Sequence, residues 1–387
     1  MRRRGSQSNL MQLTRQKKTG AVVGLDIEAG SIAAAEVRQN GTVELIAAAV
    51  EPLPPGAFHE GEVADADSVA KALKSLFAEH KLSKRVRLGI GNQRVVVRTL
   101  RLPAIEDRKE MEAAVRFQAQ EQIPMPIDQA VLEHQVVGGV PAEEGSTPQV
   151  DVVVVAARRD MVATFVEPLH RAGLEPVGVD LSAFGMIRAL AGVGADASSV
   201  NAADGVSATT DEVAPEATPA QQPEKAILYC NVGDVMNLAV ARGRACLFTR
   251  VSSAGLGGVT GRLAGERGLN IEHAAEWLAH VGLQDAVEEV EGDPETVAGA
   301  RRALEDGLTS LVDELRLSLD YYGAQESAVP VGQVVLSGPG STIAGLAERM
   351  QTGLGLPISV SRPPALDRYD DGMAARLTLP YGIALEG

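Results

Sequence analysis

The stretch Val22–Val50, VVGLDIEAGSIAAAEVRQNGTVELIAAAV, decides the fold. Its first apolar run ends at Asp26, a turn of small residues follows at 28–31, and two further apolar runs flank Asn40-Gly41. Asn-Gly between two apolar runs is a strong signal for a β-hairpin. The stretch therefore predicts a strand, a tight turn, a second strand, a hairpin and a third strand.

The same pattern returns at Ala226–Val251. An apolar run leads to Asn231-Val232-Gly233-Asp234, a second run follows, and Arg242-Gly243-Arg244 separates it from a third. Two copies of one unit predict a duplicated α/β architecture with two lobes.

Composition places the chain among globular proteins. Its 387 residues are 45% hydrophobic and 22% charged, which leaves room for two domains. The net charge of -15 makes broad binding to nucleic acid unfavourable. Only two cysteines occur, Cys230 and Cys246, so we expect reduced, buried thiols rather than a disulfide framework or a zinc site. No apolar run reaches the roughly 18 residues of a membrane helix, and we expect a cytoplasmic protein.

Two segments differ in composition from the rest. Residues 1–18 carry no acid and six bases, and they predict either a solvated, disordered tail or a contact with anionic lipid or an acidic partner. Residues 192–224 carry six acids and no base, which predicts a flexible acidic linker between the lobes.

A block at 94–172 follows the first unit and predicts a strand, a helix, two strands and a helix. We interpret it as a subdomain inserted in the first lobe, whose own strand and helix resume at 173–191. Arg94, Arg98 and Arg101 fall on the predicted first strand of the block. They are candidates for binding an acidic partner tail, and a solvated strand face explains them equally well.

Three turns of small residues end apolar strands, at 26–31, 231–234 and 337–341, and the third is expected to open a helix from about 343. Such turns expose backbone N–H groups and let a phosphate approach closely. Together they predict a nucleotide cleft between the lobes. The candidate nucleotide-binding residues are Asp26, Ala29, Gly30, Ser31, Asn231, Gly233, Asp234, Gly257, Gly258, Glu276, Gly338, Gly340 and Ser341. Asp26 is also a candidate for a water-mediated Mg²⁺ contact, with a turn-capping role as the alternative.

These turns resemble the motifs of a known superfamily. Gly24-Leu25-Asp26-Ile27 with Glu36-Val37 resembles the first phosphate loop of the actin/Hsp70 proteins, and Asn231-Val232-Gly233 resembles the second. Leu336–Gly340 with Gly345-Leu346 resembles the adenosine motif. The resemblance implies an actin-like (ribonuclease H-like) duplicated fold.

Further stretches resemble the PilM-type family of type IV pilus assembly, which is related to the division protein FtsA. They are Arg98–Pro103, Arg171–Pro176, Phe248-Thr249-Arg250 before Gly255–Gly258, and Leu317–Tyr322. The resemblance implies an inserted subdomain of the 1C type. It predicts subdomain 1A at 19–93, 173–191 and about 368–387, subdomain 1C at 94–172, subdomain 2A at 225–255 and 326–367, and subdomain 2B at 256–325.

The family resemblance also implies a function. It predicts an ATP- and Mg²⁺-binding scaffold at the inner face of the membrane, which holds the cytosolic tail of a PilN-like membrane protein in a groove involving the first lobe. Other pilus-assembly proteins are expected as partners, contact with the membrane only through partners, and a homo-oligomer is left open.

Several residues depart from the family pattern. Glu28 stands where the family has glycine, Ala33 replaces a lysine, Asn231 replaces an aspartate, and Pro339 interrupts the adenosine glycines. An anionic side chain beside phosphates is unfavourable, and asparagine cannot act as a base. We therefore expect no ATP hydrolysis or a very weak one, and no catalytic residue is assigned.

The alternatives are a scaffold that no longer uses nucleotide and a small-molecule kinase or phosphatase of the superfamily. The latter requires a catalytic carboxylate that Asn231 does not supply.

Overall fold

The computed structural model describes residues 20–59, 61–140, 147–191, 225–325 and 328–386. The predicted basic tail at 1–18 and the acidic linker at 192–224 lie outside the described residues.

A five-stranded sheet forms the first lobe. Its strands are β1 Val22–Ile27, β2 Ser31–Gln39, β3 Val43–Pro52, β6 Arg85–Ile90 and β10 Glu175–Leu181, in the order β10-β6-β1-β2-β3. The short strands β4 Phe58–His59 and β5 Glu62–Val63 pair beside it, and helix α1 Ala66–Glu79 packs on one face. The β2–β3 hairpin predicted at Asn40-Gly41 is confirmed, with Gly41 at a φ of +79°.

The second lobe repeats this order. Its sheet contains β11 Ala226–Val232, β12 Met236–Arg242, β13 Ala245–Ser252, β14 Val331–Ser337 and β15 Ile358–Val360, in the order β13-β12-β11-β14-β15. In both sheets the first three strands pair antiparallel, the fourth pairs parallel with the central strand, and the fifth pairs parallel with the fourth. The predicted duplication is therefore confirmed.

Helices of the second lobe begin where capping residues predict. Asn270 caps α6 Ile271–Val281, and Asp293 caps α7 Pro294–Gly323, which starts with the proline that favours a first turn. Helix α5 Leu256–Arg267 precedes them, and α8 Leu346–Leu354 follows.

The helix expected directly after the turn at 337–341 is wrong. A 3-10 turn, Pro339–Thr342, occupies this position, and α8 begins only at Leu346. Gly345, at a φ of +77°, separates the two because this left-handed conformation interrupts a right-handed helix.

The inserted block forms a second layer. Its strands are β7 Val96–Pro103, β8 Ala130–Val140 and β9 Gln149–Arg158, in the antiparallel order β7-β9-β8, and α2 Arg108–Gln122 covers one face. The last helix of the predicted block, α3 Arg159–Arg171, instead buries Met161, Phe165 and Leu169 in the first-lobe core beside α1.

The placement of the three arginines on one strand is wrong. Arg94 lies in a loop, because the side chain of Asn92 accepts a hydrogen bond from Arg94 N at 2.8 Å and closes a turn before β7. Arg98 and Arg101 do lie on β7, but on opposite faces, because successive strand residues alternate. Arg94 pairs with Glu62, and Arg101 Nε lies 3.0 Å from Asp151 Oδ1.

Two helices pack between the sheets and join the lobes. They are α4 Ser182–Leu190 and α9 Asp371–Ala384, and they share a core with residues of both sheets, including Ala35, Tyr229 and Val335. Their backbones approach closely at Gly185 and Gly382, where a Cβ on Gly382 would overlap the carbonyl oxygen of Gly185. The shared core fixes the position of the two phosphate-loop turns relative to each other.

Composition also predicts reduced cysteines and no membrane helix. Cys230 and Cys246 are free and buried, as predicted. Within the described ranges, no helix has the length and apolar character needed to cross a membrane.

Candidate functional site

Two turns face each other across the lobes. The β1–β2 turn follows the central strand of the first sheet, and the β11–β12 turn follows the central strand of the second. The structure thereby brings Asp26 and residues 28–31 together with residues 231–234, as the sequence predicts. We call these turns loop 1 (residues 26–31) and loop 2 (residues 231–234).

The two loops bind each other reciprocally. Ala29 N of loop 1 donates a hydrogen bond to Asp234 Oδ2 of loop 2, and Gly30 N donates to the same carboxyl group. In the opposite direction, the backbone N–H of Asp234 donates to the carboxyl group of Glu28. Glu28 also lies against Gly233, where an added Cβ would overlap Glu28 Oε1.

Burial dominates the electrostatics of this contact. Asp26 is 9% exposed, and desolvation raises its pKa to about 7, although Ser182 Oγ donates a 3.4 Å hydrogen bond to Asp26 Oδ1. Desolvation likewise raises the pKa of Glu28 and of Asp234, and the negative charges of Asp234 and Asp26 raise that of Glu28 further. Three carboxyl groups thus share a poorly hydrated space.

Arg376 of α9 is the cation that opposes them. Its Nη1 donates to Ser31 Oγ at 3.1 Å, and its charge lowers the pKa of Glu28 and of Asp234. Arg376 and Ala33 line the same small space, so α9 supplies a cation beside β2. Sequence reasoning missed Arg376. The signal was a single base inside the apolar run from Ala374 to Pro380.

Asn231 lies at the base of loop 2. It is 1% exposed, and its Nδ2 donates to Ser337 Oγ at 3.3 Å, while its Oδ1 has no hydrogen-bond partner among the described residues. Gly338 packs against it, because an added Cβ would come within 2.7 Å of Asn231 Nδ2. The third predicted turn therefore converges on loop 2.

The other glycine candidates have different surroundings. Gly340 packs against Val232, with 2.6 Å between an added Cβ and Val232 Cγ1, and Ser341 Oγ donates to the Gly338 carbonyl at 2.7 Å. Gly257 N donates to the Asp234 carbonyl at 3.1 Å, whereas a Cβ on Gly258 would meet no atom within 4 Å.

A cavity of about 470 Å³ lies beside the loops, on the side of the adenosine motif. Glu276, Thr342 and Ile343 are among its lining residues. The side chain of Glu276 is 76% exposed. A second cavity of about 510 Å³ opens on the side of the β4–β5 hairpin and includes Gly257 and Gly258. The contact between the loops lies between the two cavities.

An adenine nucleotide fits this cleft only in part. The larger spaces suit a base and a ribose, and the cavity of about 470 Å³ is also lined by Glu28, Asp234 and Arg376. A separate space beside Asp26 and Asn231 is about 10 Å³, close to that of one water molecule. The N–H groups that would bind phosphate already bind carboxyl groups. Among the residues that the structure describes, no three or more His, Cys, Asp or Glu side chains form a metal cluster.

A groove of about 300 Å³ lies away from the cleft, between the inserted sheet, α4 and the β12–β13 hairpin. Val136 and Val153 line it from the inserted sheet, Phe184 and Ile187 from α4, and Arg244 from the hairpin. Val136 is 49% exposed. We call this the α4 groove.

Comparison with known proteins gives consistent results. A family model described as type IV pilus assembly protein PilM matches residues 24–207. A chain of a solved PilM–PilN type IV pilus biogenesis complex is 28% identical, covers 95% of this chain and 98% of its own, and superposes with a TM-score of 0.70.

More distant structural matches include two further proteins. EutJ, the ethanolamine utilization protein of Carboxydothermus hydrogenoformans, is 14% identical over 95% of this chain and 90% of its own, with a TM-score of 0.48. MreB5 of Spiroplasma citri bound to ADP is 12% identical over 95% of both chains, with a TM-score of 0.46.

The two sheets of equal strand order, the helix pair between them and the facing loops define an actin-like protein with a subdomain inserted in its first lobe. Within that class, the family model and the match at 28% identity agree with the motifs of the sequence. The chain is similar to the PilM-type family of type IV pilus assembly proteins.

Proposed function

We propose that the chain is a scaffold of type IV pilus or related secretion assembly, which binds the cytosolic N-terminal tail of a PilN-like inner-membrane protein in the α4 groove. The tail would hold the scaffold at the cytoplasmic face of the membrane. The observation that carries the proposal is the groove itself, which is partly apolar and lies between the inserted sheet, α4 and the β12–β13 hairpin. The match to a chain of a PilM–PilN complex supports this choice of partner.

The groove has the chemistry to bind an extended peptide. Its apolar walls suit aliphatic side chains, and Arg244 is exposed at its rim, where an acidic residue of the tail would pair with it. Strand β10, which leads directly into α4, is the edge strand of its sheet, and its Val177 and Val179 are 37% and 42% exposed. An edge strand offers main-chain groups to an added peptide strand.

Nucleotide binding is a separate part of the proposal. ATP with Mg²⁺ would place its adenosine in the cavity beside Glu276, with the glycines of loop 2 and of the adenosine motif around it. A phosphate would have to displace the carboxyl groups that bind the N–H groups of the two loops, and the alternative is a scaffold that binds its partner without nucleotide. Arg94, Arg98 and Arg101 stay predicted partner contacts, and two of them already pair with acids of the chain.

Titration with a synthetic peptide of the PilN-like N-terminal tail tests the groove. We expect Val136→Asp to weaken binding of the peptide at least about tenfold. Burial of the new carboxylate under the peptide would cost about 1.4 kcal/mol or more of binding free energy. Val43→Asp is the matched control, because Val43 is 50% exposed on the edge strand β3, far from the groove in the sheet order. Equal affinity of both variants and the native protein would place the tail elsewhere.

A further inference from the structure

The contact between loop 1 and loop 2 uses donors of both loops. Ala29 N and Gly30 N face the carboxyl group of Asp234, and Asp234 N faces the carboxyl group of Glu28. Backbone N–H groups in a small-residue turn bind anions of any kind, whether phosphate or carboxylate. Each loop therefore holds an anionic group supplied by the other lobe.

We propose that Glu28 and Asp234 are internal substitutes for phosphate: their carboxyl groups bind the opposite loop and hold the two lobes closed without a nucleotide. This inference concerns the cleft and goes beyond the proposed binding of a tail in the α4 groove.

The sequence separation of the bonded groups makes the contact a closure device. Ala29 and Asp234 lie 205 residues apart, in the turns that follow the central strands of different sheets. The bonds therefore join lobe to lobe and do not merely stabilise a local turn. Because the N–H groups of both loops already bind carboxyl groups, a phosphate binds them only after those carboxyl groups leave.

The charged groups around the contact fit this role. Asp26 faces the loops from β1, and Arg376 faces them from α9, where it also binds Ser31. With Glu28 and Asp234 this makes three acids and one base, so adding a polyphosphate to the closed site would increase an existing excess of negative charge. Any phosphate ligand must compete with both carboxyl groups, which lowers its apparent affinity.

An acidic side chain at residue 28 has a structural reason in this arrangement. A glycine at this position would carry no carboxyl group to reach Asp234 N. Gly233 is needed on the other side, because an added Cβ would overlap Glu28 Oε1. The two residues form a matched pair across the cleft.

Amide hydrogen exchange tests the closure directly in the full chain without nucleotide. We expect Asp234→Ala to speed exchange of Ala29 N–H and Gly30 N–H at least about tenfold, because their acceptor is lost. Glu28→Gly should likewise speed exchange of Asp234 N–H, because this N–H also loses its acceptor. The control is Glu272→Ala, which removes a carboxylate that lines both cavities of the cleft but is not one of the groups that bond loop 1 to loop 2. Unchanged exchange in both loop variants, with native circular dichroism, would overturn the closure.

Pyrophosphate with Mg²⁺ tests the substitution for phosphate. We expect Glu28→Gly and Asp234→Ala to bind it at least about tenfold more tightly than the native chain or Glu272→Ala, because competition by the carboxyl groups is removed. A failure of both variants to bind pyrophosphate more tightly would overturn the role as phosphate substitutes. Neither result depends on the tail, so Val136→Asp should leave exchange in both loops at the native rate.

Discussion

Glu28 shows how one side chain of loop 1 reaches the second lobe. Its backbone follows the expected turn, and Glu28 N donates to the Ser31 carbonyl at 2.9 Å. Its carboxyl group, however, crosses to the second lobe instead of facing solvent. The acid is compatible with the turn because Arg376 and the N–H of Asp234 partly offset its desolvation.

Asp26 makes folding stability depend on pH. Desolvation raises its folded-state pKa from 3.8 to about 7, so between these values the native chain holds a proton that the unfolded chain has lost. The contribution of Asp26 to the free energy of unfolding is complete below pH 3.8. It falls as the pH rises from 3.8 to about 7, by up to about 1.4 kcal/mol per pH unit. We expect Asp26→Asn to flatten this fall and to raise stability above pH 7, measured by urea unfolding at several pH values.

The control for this prediction is Asp313→Asn, at an aspartate whose side chain is 66% exposed. It should leave the pH profile of the native chain unchanged. A profile for Asp26→Asn as steep as the native one would show that Asp26 is ionised in the folded protein at all these pH values.

Helix α9 is the element on which both lobes depend. Its residues from Leu377 to Ala384 are all buried, although Pro380 lies inside it. Arg87 Nη1 donates to the carbonyls of Ile383 and Leu385, at 3.2 and 2.8 Å, and so satisfies acceptors at the end of the helix. Gly24 of β1 lets the helix approach, because a Cβ there would overlap the Pro380 carbonyl oxygen.

Gly382→Ala tests this close packing. The new methyl group would overlap the carbonyl oxygen of Gly185 on α4, and such overpacking costs about 1–3 kcal/mol of unfolding free energy. Gly372→Ala on the same helix is the control, since its Cβ would lie 3.4 Å from Asp370 Oδ1, an ordinary contact. Thermal unfolding should therefore separate the two variants, and equal melting temperatures would mean that α4 and α9 can move apart freely.

The sequence predicts helices and hairpins well where the signal lies in neighbouring residues. The hairpins at Gly41 and Gly243 were predicted because turn residues act on their own neighbours, and the caps Asn270 and Asp293 act in the same local way. The helix after 337–341 failed because Gly345 adopts a left-handed conformation that a glycine in sequence does not announce.

The candidate site was predictable in outline only. The facing of loop 1 and loop 2 followed from the duplication, since equivalent strands of two copies end in equivalent turns. The bonds of Glu28 and Asp234 and the approach of Arg376 did not, because they join residues far apart in the chain. Their geometry is set by how α4 and α9 pack the sheets together.

The whole molecule is joined by a core that belongs to neither lobe alone. Residues of β2, α4 and α9 pack there with Tyr229, Ala239 and Val335 of the second sheet. A core shared in this way couples the unfolding of the two lobes, since neither can open its sheet without exposing α9. The chain should therefore unfold as one cooperative unit, despite having two sheets and a size at which separate transitions are common.

Trp277 provides the test, because it is the single tryptophan and packs against the second-lobe core. Leu169→Ala removes a fully buried side chain of the first-lobe core, a change that costs about 2–5 kcal/mol. We expect the urea midpoint of Trp277 fluorescence to fall with that of far-UV circular dichroism, although Leu169 lies in the other lobe. Leu317→Ala, at a residue that is 54% exposed, should shift neither midpoint. An unchanged Trp277 midpoint in Leu169→Ala would mean that the lobes unfold independently and that the shared core does not couple them.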